Sequence, residues 1–200
     1  MLIVDDFLSI EDRAQLVREL GTLDPVATGV CAGGGDFQFE HQHGSLVAWR
    51  QYVRGTVMCD HTSAPTLLRL YQRLVTLGLP PLPYLQVRRN ALGSVHERHA
   101  DYFDEPALAM TATVNLAGSA TLRTWTECST SESQSADGAC GLGACGHAPT
   151  VVRMRPGMLI FDWPQWLPHC VSDVEGERMA MVFTGARGRR ALAHGRNRAA

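Results

Sequence analysis

The chain lacks any apolar run long enough to cross a membrane as a helix, so no membrane-spanning segment is expected. Its first residues, Met1-Leu2-Ile3-Val4, are cut off by Asp5 and Asp6 and cannot serve as the apolar core of a secretion signal. An excess of charge of one sign is also missing. A net charge of −2 and a pI near 6.4 give no general reason to expect a polyanionic partner, nucleic acid included. The local exception is the end of the chain, where Arg187, Arg189, Arg190, Arg196 and Arg198 cluster; a solvated, frayed terminus accounts for them more simply than a nucleic-acid arm. Cysteine is too sparse for a disulfide framework, with six in 200 residues. Thiols in a reducing, cytoplasmic setting are the expectation.

What is present fits one domain large enough to bury its own core. Asp5 to Phe7 read as the end of an edge strand. Ser9, three before Asp12, opens a helix that ends near Gly21, with Ile10, Leu16, Val17 and Leu20 along one face. Residues 24–45 are rich in glycine and polar groups and read as a long loop, followed by a strand over 46–53. Ser63 and Pro65 start a second helix that runs to about Leu77 and is broken by Gly78 and Pro80-Pro81. From Tyr84 the period changes to two. Short strands are predicted at 84–90, 94–99, 109–116, 119–125, 150–155, 157–162, 168–174 and 177–184. Eight short strands after two helices point to a mainly β chain, a cupin-like jelly roll or double-stranded β-helix with helices packed on one outer face. On this reading 1–200 is a single domain. A helical N-terminal support (1–83) precedes the jelly-roll core (84–187) and a basic tail (188–200). The Ser-, Gly-, Ala- and Cys-rich stretch 126–149 interrupts the core as a mobile insertion, a candidate lid.

The chemistry concentrates between His99 and Arg178. His99-Ala100-Asp101 is a His-x-Asp motif, and a second histidine, His169, is followed nine residues later by Arg178. Two imidazoles and one carboxylate leave three positions open on a non-haem Fe(II) centre, enough for a co-substrate and O2. An arginine fork suits the far carboxylate of a dicarboxylate. Glu175-Gly176 reads as a two-residue hairpin turn that sets Asp173 opposite Arg178 and His169 opposite Val182. His169, Asp173 and Arg178 would then share the inward face. His169 would lie four residues along from Arg178, about 13 Å at ~3.3 Å per residue.

The longer string runs Leu85-Gln86-Val87, Gly93, His99-Ala100-Asp101-Tyr102-Phe103, Arg155-Pro156-Gly157-Met158-Leu159-Ile160-Phe161, and His169-x-Val171-x-x-Val174-x-Gly176-x-Arg178. In this order it resembles the Fe(II)/2-oxoglutarate-dependent dioxygenases, particularly their prolyl-hydroxylase-like branch, over the C-terminal half. The resemblance implies that His99, Asp101 and His169 hold Fe(II) and that Arg178 anchors 2-oxoglutarate. The implied reaction is hydroxylation of a small molecule, amino acid or peptide side chain with release of succinate and CO2. A carboxylate at Asp101, where the related halogenases carry a small residue, implies an oxidation without halide. The chain departs from the prolyl-hydroxylase pattern before the first ligand. Tyrosines common in that branch three and nine residues earlier are His96 and Asn90 here, and an aromatic in the following strand is replaced within Thr111-Ala112-Thr113-Val114-Asn115. Polar contacts from His96, Asn90, Thr113 or Asn115 can replace the tyrosyl hydroxyls at the co-substrate, although His96 reads equally as a solvent-facing strand residue.

Other clusters carry less. Cys128, Cys140, Cys145 and His147 have tolerable zinc spacing but sit in loop-like composition, and Glu40, His41 and His43 read as solvated loop residues. Trp163, Trp166 and Trp125 are either core aromatics or pocket walls for an apolar or ring-bearing substrate. Two other functions compete. A nucleic-acid dealkylase of the same superfamily typically has a second arginine six residues after the first, where this chain has Thr184. A cupin-type metal-binding protein without oxygenase activity has no need of Arg178.

Overall fold

The structure, a computed structural model, describes residues 1–22, 36–42, 45–52, 55–59, 64–81, 83–99, 109–125, 148–163, 165 and 167–186. Two helices pack together at the N-terminal end of the chain. Helix α1 (Ile10–Thr22) opens where the Ser9 hydroxyl accepts the Asp12 N–H at 3.0 Å. Its buried stripe is Leu16, Glu19 and Leu20, whereas Ile10 is 71% exposed and Val17 37%. The expected face is therefore turned by about one position, because Glu19 is drawn inward by the second helix. Helix α2 (Pro65–Thr76) has no side-chain cap of its own at Ala64, and Pro65 contributes no N–H. The Glu19 carboxylate takes that role from the neighbouring helix, accepting the N–H groups of Thr66 and Leu67 at 3.0–3.1 Å. A buried carboxylate at a helix N-terminus satisfies two orphan donors and meets the positive end of the dipole.

Among the described residues, ten strands follow one connected ladder. They are β1 (Leu2–Val4), β2 (Asp36–Gln42), β3 (Ser45–Tyr52), β4 (Gly55–Cys59), β5 (Tyr84–Asn90), β6 (His96–His99), β7 (Ala109–Thr124), β8 (Thr150–Met154), β9 (Leu159–Phe161) and β10 (His169–Ala186). Every pairing is antiparallel. The expected loop 24–45 is partly strand, since β2 pairs with both β3 and β5. The first 83 residues accordingly supply four strands as well as the helices. Glu40 and His41 lie on β2; His43 is outside the described residues. The zinc-like cluster of Cys128, Cys140, Cys145 and His147 is outside them too, as are the tail 188–200 and all of the insertion except residues 148–149.

Two predicted strand pairs are in fact two long strands. The segments at 109–116 and 119–125 are one strand, β7, and those at 168–174 and 177–184 are one strand, β10. The hairpin at Glu175-Gly176 does not form. Instead β10 bends there, with Asp173 and Gly176 at positive φ, beside a matching bend in β7 at Gly118. The half of β10 before the bend pairs with β6 and with the end of β7, which also pairs with β8. The half after it pairs with β5 and with the start of β7, which also pairs with β9. The result is two facing sheets that share two bent strands, a double-stranded β-helix.

The helices cover the outer face of the larger sheet. Leu16, Leu20, Leu67 and Leu74 pack there with Leu85, Val87, Met181 and Phe183. Because β5 alternates, Gln86, Arg88 and Asn90 face the other way, into the space between the sheets. A smaller apolar cluster that includes Leu122, Met154, Ile160 and Trp163 fills part of that space. Among the described residues no helix is long and apolar enough to cross a membrane.

Glu19→Ala leaves two buried N–H groups unpaired and should lower stability by about 1–3 kcal/mol. Denaturant unfolding of the two proteins side by side measures it. A loss of less than about 0.5 kcal/mol, the usual effect of an unimportant surface change, would show that water replaces the carboxylate without penalty.

Candidate functional site

The inward residues of the two sheets meet in a cavity whose walls include Asn90, His96, His99, Thr113, Trp163, His169 and Arg178. His99 ends β6 and His169 begins β10, and the two are direct cross-strand partners with ring centroids 4.3 Å apart. His96 is beside them, its ring 4.2 Å from that of His99, so it faces the cavity rather than solvent. The His169 Nδ1 lies 2.9 Å from the Leu167 carbonyl. A carbonyl only accepts, so Nδ1 carries a proton, which leaves Nε2 as the ring nitrogen through which His169 could bind a metal. The Trp163 indole meets His169 edge-on at 5.0 Å and donates to the Thr113 hydroxyl at 2.9 Å. That bond fixes both the ring and the wall it forms.

Arg178 is the first inward residue beyond the β10 bend and is only 5% exposed. Its Nη1 donates to Asn90 Oδ1 at 2.7 Å, across the β5–β10 register, and Nη2 reaches only the Met154 sulfur, at 3.5 Å. The buried Nε has no partner, and no carboxylate pairs with this cation among the described residues. Burial, followed by repulsion from Arg88, pushes its pKa down to about 10, so it remains a cation at neutral pH. A desolvated guanidinium with one good acceptor is poised for an anion.

Not every expected residue belongs here. Asn115 is buried outside the cavity wall, where its amide donates to the Gly118 carbonyl at 2.7 Å and secures the β7 bend. Trp125 is buried beneath the Arg98 guanidinium, 4.6 Å from its ring, and is likewise absent from the wall. Asp173 points outward, 53% exposed, and pairs with Arg123 at 2.9 Å. Arg123 also holds its carboxyl below the usual range. Val182 faces Thr113 and Gln86 instead of His169. Asp101 and Trp166 lie outside the described residues, and among those described no group of three His, Cys, Asp or Glu side chains forms a metal cage.

The sequence reading missed Gln86, Arg88 and Gln165. Counting back by two from Asn90 would have found the first two, since alternate strand residues share a face. Gln165 carried no such signal. Its Oε1 accepts from the Thr111 and Thr184 hydroxyls at 3.3 and 3.4 Å, contacts that join three distant segments.

No protein-family model and no curated protein matches the chain. Solved structures do share its fold. A prolyl-4-hydroxylase from Pseudomonas putida aligns over 94% of this chain and 92% of its own, with a TM-score of 0.52 and 19% identity. HygX from Streptomyces hygroscopicus, solved with iron bound, aligns over 92% of this chain and 80% of its own, with a TM-score of 0.56 and 14% identity. HygX has also been solved with nickel and 2-oxoglutarate bound. SnoN, a non-haem α-ketoglutarate-dependent epimerase from nogalamycin biosynthesis, aligns over 92% of this chain and 76% of its own, with a TM-score of 0.52 and 15% identity. At these identities the likeness defines the fold, the double-stranded β-helix that these enzymes share.

Gly118 sits where the two bends touch and sets the position of Arg178. A Cβ there would lie 2.6 Å from the Glu177 carbonyl oxygen and 2.8 Å from the Arg178 Cα, at a φ of +61°. At Gly176, also at positive φ, a Cβ would meet nothing closer than 4.0 Å. Gly118→Ala should therefore destabilise by about 1–3 kcal/mol from overpacking in addition to the backbone strain that Gly176→Ala also carries. Equal losses for the two variants in chemical denaturation would mean that the bends do not press on each other.

Proposed function

We propose that this protein is an Fe(II)/2-oxoglutarate-dependent oxygenase that hydroxylates a small molecule, an amino acid or a peptide side chain. The observation that carries the reading is Arg178, a buried guanidinium without a carboxylate partner among the described residues, in the cavity that His99 and His169 also line. A protein bears the penalty of such a group where an anionic ligand supplies the missing charge. The pair of imidazoles fits a metal: His99 and His169 are cross-strand partners, and the Leu167 carbonyl orients the His169 ring through Nδ1.

In this reading His99, Asp101 and His169 hold Fe(II), and Arg178 grips the far carboxylate of 2-oxoglutarate. When bound, the metal supplies the oxidising chemistry, drawing on O2 and the decarboxylation of 2-oxoglutarate to succinate and CO2. The chain orients and protects. The Leu167 carbonyl fixes the His169 ring, and Asn90 aims the Arg178 fork. Thr113 holds Trp163 as an apolar wall, which limits water beside the reactive centre. His96, Asn90 and Thr113 are the polar groups nearest the expected co-substrate. A nucleic-acid dealkylase is the weaker reading, because Thr184 stands where such enzymes typically have their second arginine and its hydroxyl is used on Gln165. A metal-binding cupin leaves Arg178 unexplained.

Anaerobically prepared protein should bind one Fe(II) per chain, and His99→Ala and His169→Ala should each lose it. Stoichiometric iron in both variants, measured by metal analysis, would remove the assignment.

Arg178 should govern co-substrate affinity alone. In Arg178→Ala, 2-oxoglutarate binding should weaken by about ten- to a hundredfold, the range for a hydrogen bond to a charged group, while iron binding survives. Arg178→Lys keeps the charge but loses the fork and should fall between. The visible charge-transfer band of the anaerobic Fe(II) complex reports the affinity, and succinate release with a metabolite panel reports turnover. Unchanged affinity in Arg178→Ala would mean that 2-oxoglutarate is anchored elsewhere or is not the co-substrate.

A further inference from the structure

The cavity contains a second arginine that the co-substrate does not require. Arg88 is on β5, two residues before Asn90, and lines the same cavity as Arg178. Its register partner on β10 is Ala180, whose small side chain leaves the space above it open. Most arginines of the described residues are compensated: Arg13 reaches the Leu116 carbonyl, Arg73 the Phe7 carbonyl, Arg123 Asp173 and Arg155 Asp5. Arg88 has no hydrogen-bond or ion-pair partner among the described residues, although it is only partly exposed. Arg178 is a second cation in the same cavity, and after burial the repulsion from Arg88 contributes to the lowering of its pKa. Like charges facing one poorly solvated space cost free energy until anions arrive.

We infer that Arg88 binds a carboxylate of the primary substrate, which makes that substrate an acid. The inference rests on the proposed function and deepens it. Fe(II), the Asp101 carboxylate, dianionic 2-oxoglutarate and Arg178 sum to zero charge. Arg88 then leaves one positive charge over, and a monoanionic substrate cancels it. A second grip on the same 2-oxoglutarate carboxylate would leave that charge uncancelled. The remaining wall near Arg88 suits the body of a small acid, with Gln86 offering hydrogen bonds and Val182 and Trp163 apolar contact.

The test uses full-length protein, anaerobic, with Fe(II) and saturating 2-oxoglutarate. Calorimetry compares paired probes from acetate and acetamide up to phenylacetate and phenylacetamide. The expected result is that at least one acid binds about ten- to a hundredfold more tightly than its amide, and that Arg88→Gln erases the difference. Arg88→Lys should retain part of it. Co-substrate affinity should fall by less than about tenfold in Arg88→Gln, the effect of one lost positive charge in the same cavity, and its retention also shows that the variant is folded. Two results would overturn the inference. One is a tenfold or greater loss of 2-oxoglutarate affinity in Arg88→Gln, which would assign Arg88 to the co-substrate. The other is that no acid binds better than its amide. Failure of the oxygenase reading is separately visible, as a wild-type protein that does not bind 2-oxoglutarate; the acid–amide comparison is then made without it and still decides the role of Arg88.

Discussion

Because β7 and β10 pair along most of their length and bend side by side, each strand serves two sheets, and the rest of the structure depends on that shared bend. It carries His169 into one sheet and Arg178 into the other, only nine residues later. The imidazole pair and the guanidinium therefore line one cavity. The bend is local chemistry made global: Gly118 approaches the Glu177 and Arg178 backbone too closely for any side chain, while Asp173 and Gly176 supply positive φ on the other strand. Asn115 and the Arg123–Asp173 pair secure it from the two strands. Exposed as it is, the ion pair adds little stability, and the close packing of the two bends contributes more.

A division of labour between the two faces of the larger sheet follows. One face is given to the helices, where Leu85, Val87, Met181 and Phe183 are fully or nearly buried against leucines of α1 and α2. That apolar core sustains the fold, so the inner face is free to carry Gln86, Arg88, Asn90 and Arg178. The helices are in turn tied to each other by Glu19, a buried carboxylate whose partners are backbone N–H groups. The cavity behind the sheet is polar because the core in front of it is not.

Much of this was legible in the residues. The spacing from His99 to Arg178, the helical support and the β-rich C-terminal half follow from local pattern. The cavity positions of Asn90 and Thr113 come from the family resemblance, and that of His96 stays open in the sequence because it reads equally as a solvent-facing strand residue. What escaped was settled by long-range pairing. Glu175-Gly176 has the chemistry of a tight turn, and only the neighbouring bend at Gly118 makes it a bend within β10. The strand β2 was hidden because polar, glycine-flanked sequence becomes strand only when an edge such as β5 is there to receive it. Ile10 and Val17 were assigned to the wrong face because periodicity does not register an acidic residue pulled inward to cap another helix. Arg88 belongs to no motif, and only the alternation along β5 back from Asn90 places it on the inner face.

The two cavity arginines also separate what the fold needs from what the function needs. Nothing in the packing calls for a cation at Arg178: its best contacts are one amide oxygen and a thioether, weak compensation for a guanidinium taken out of water. Replacing a buried unpaired charge by an apolar side chain of like volume is often neutral or stabilising, so stability alone does not account for its presence. The same holds for Arg88, which adds repulsion and makes no bond of its own within the described residues. Two such costs in one cavity, on adjacent strands and on the same face, are the mark of a site built for charge that arrives from outside. The number of positive charges then bears on the chemistry of what enters: on the proposed function, one diacid and one metal centre would satisfy the first arginine and leave the second to the substrate.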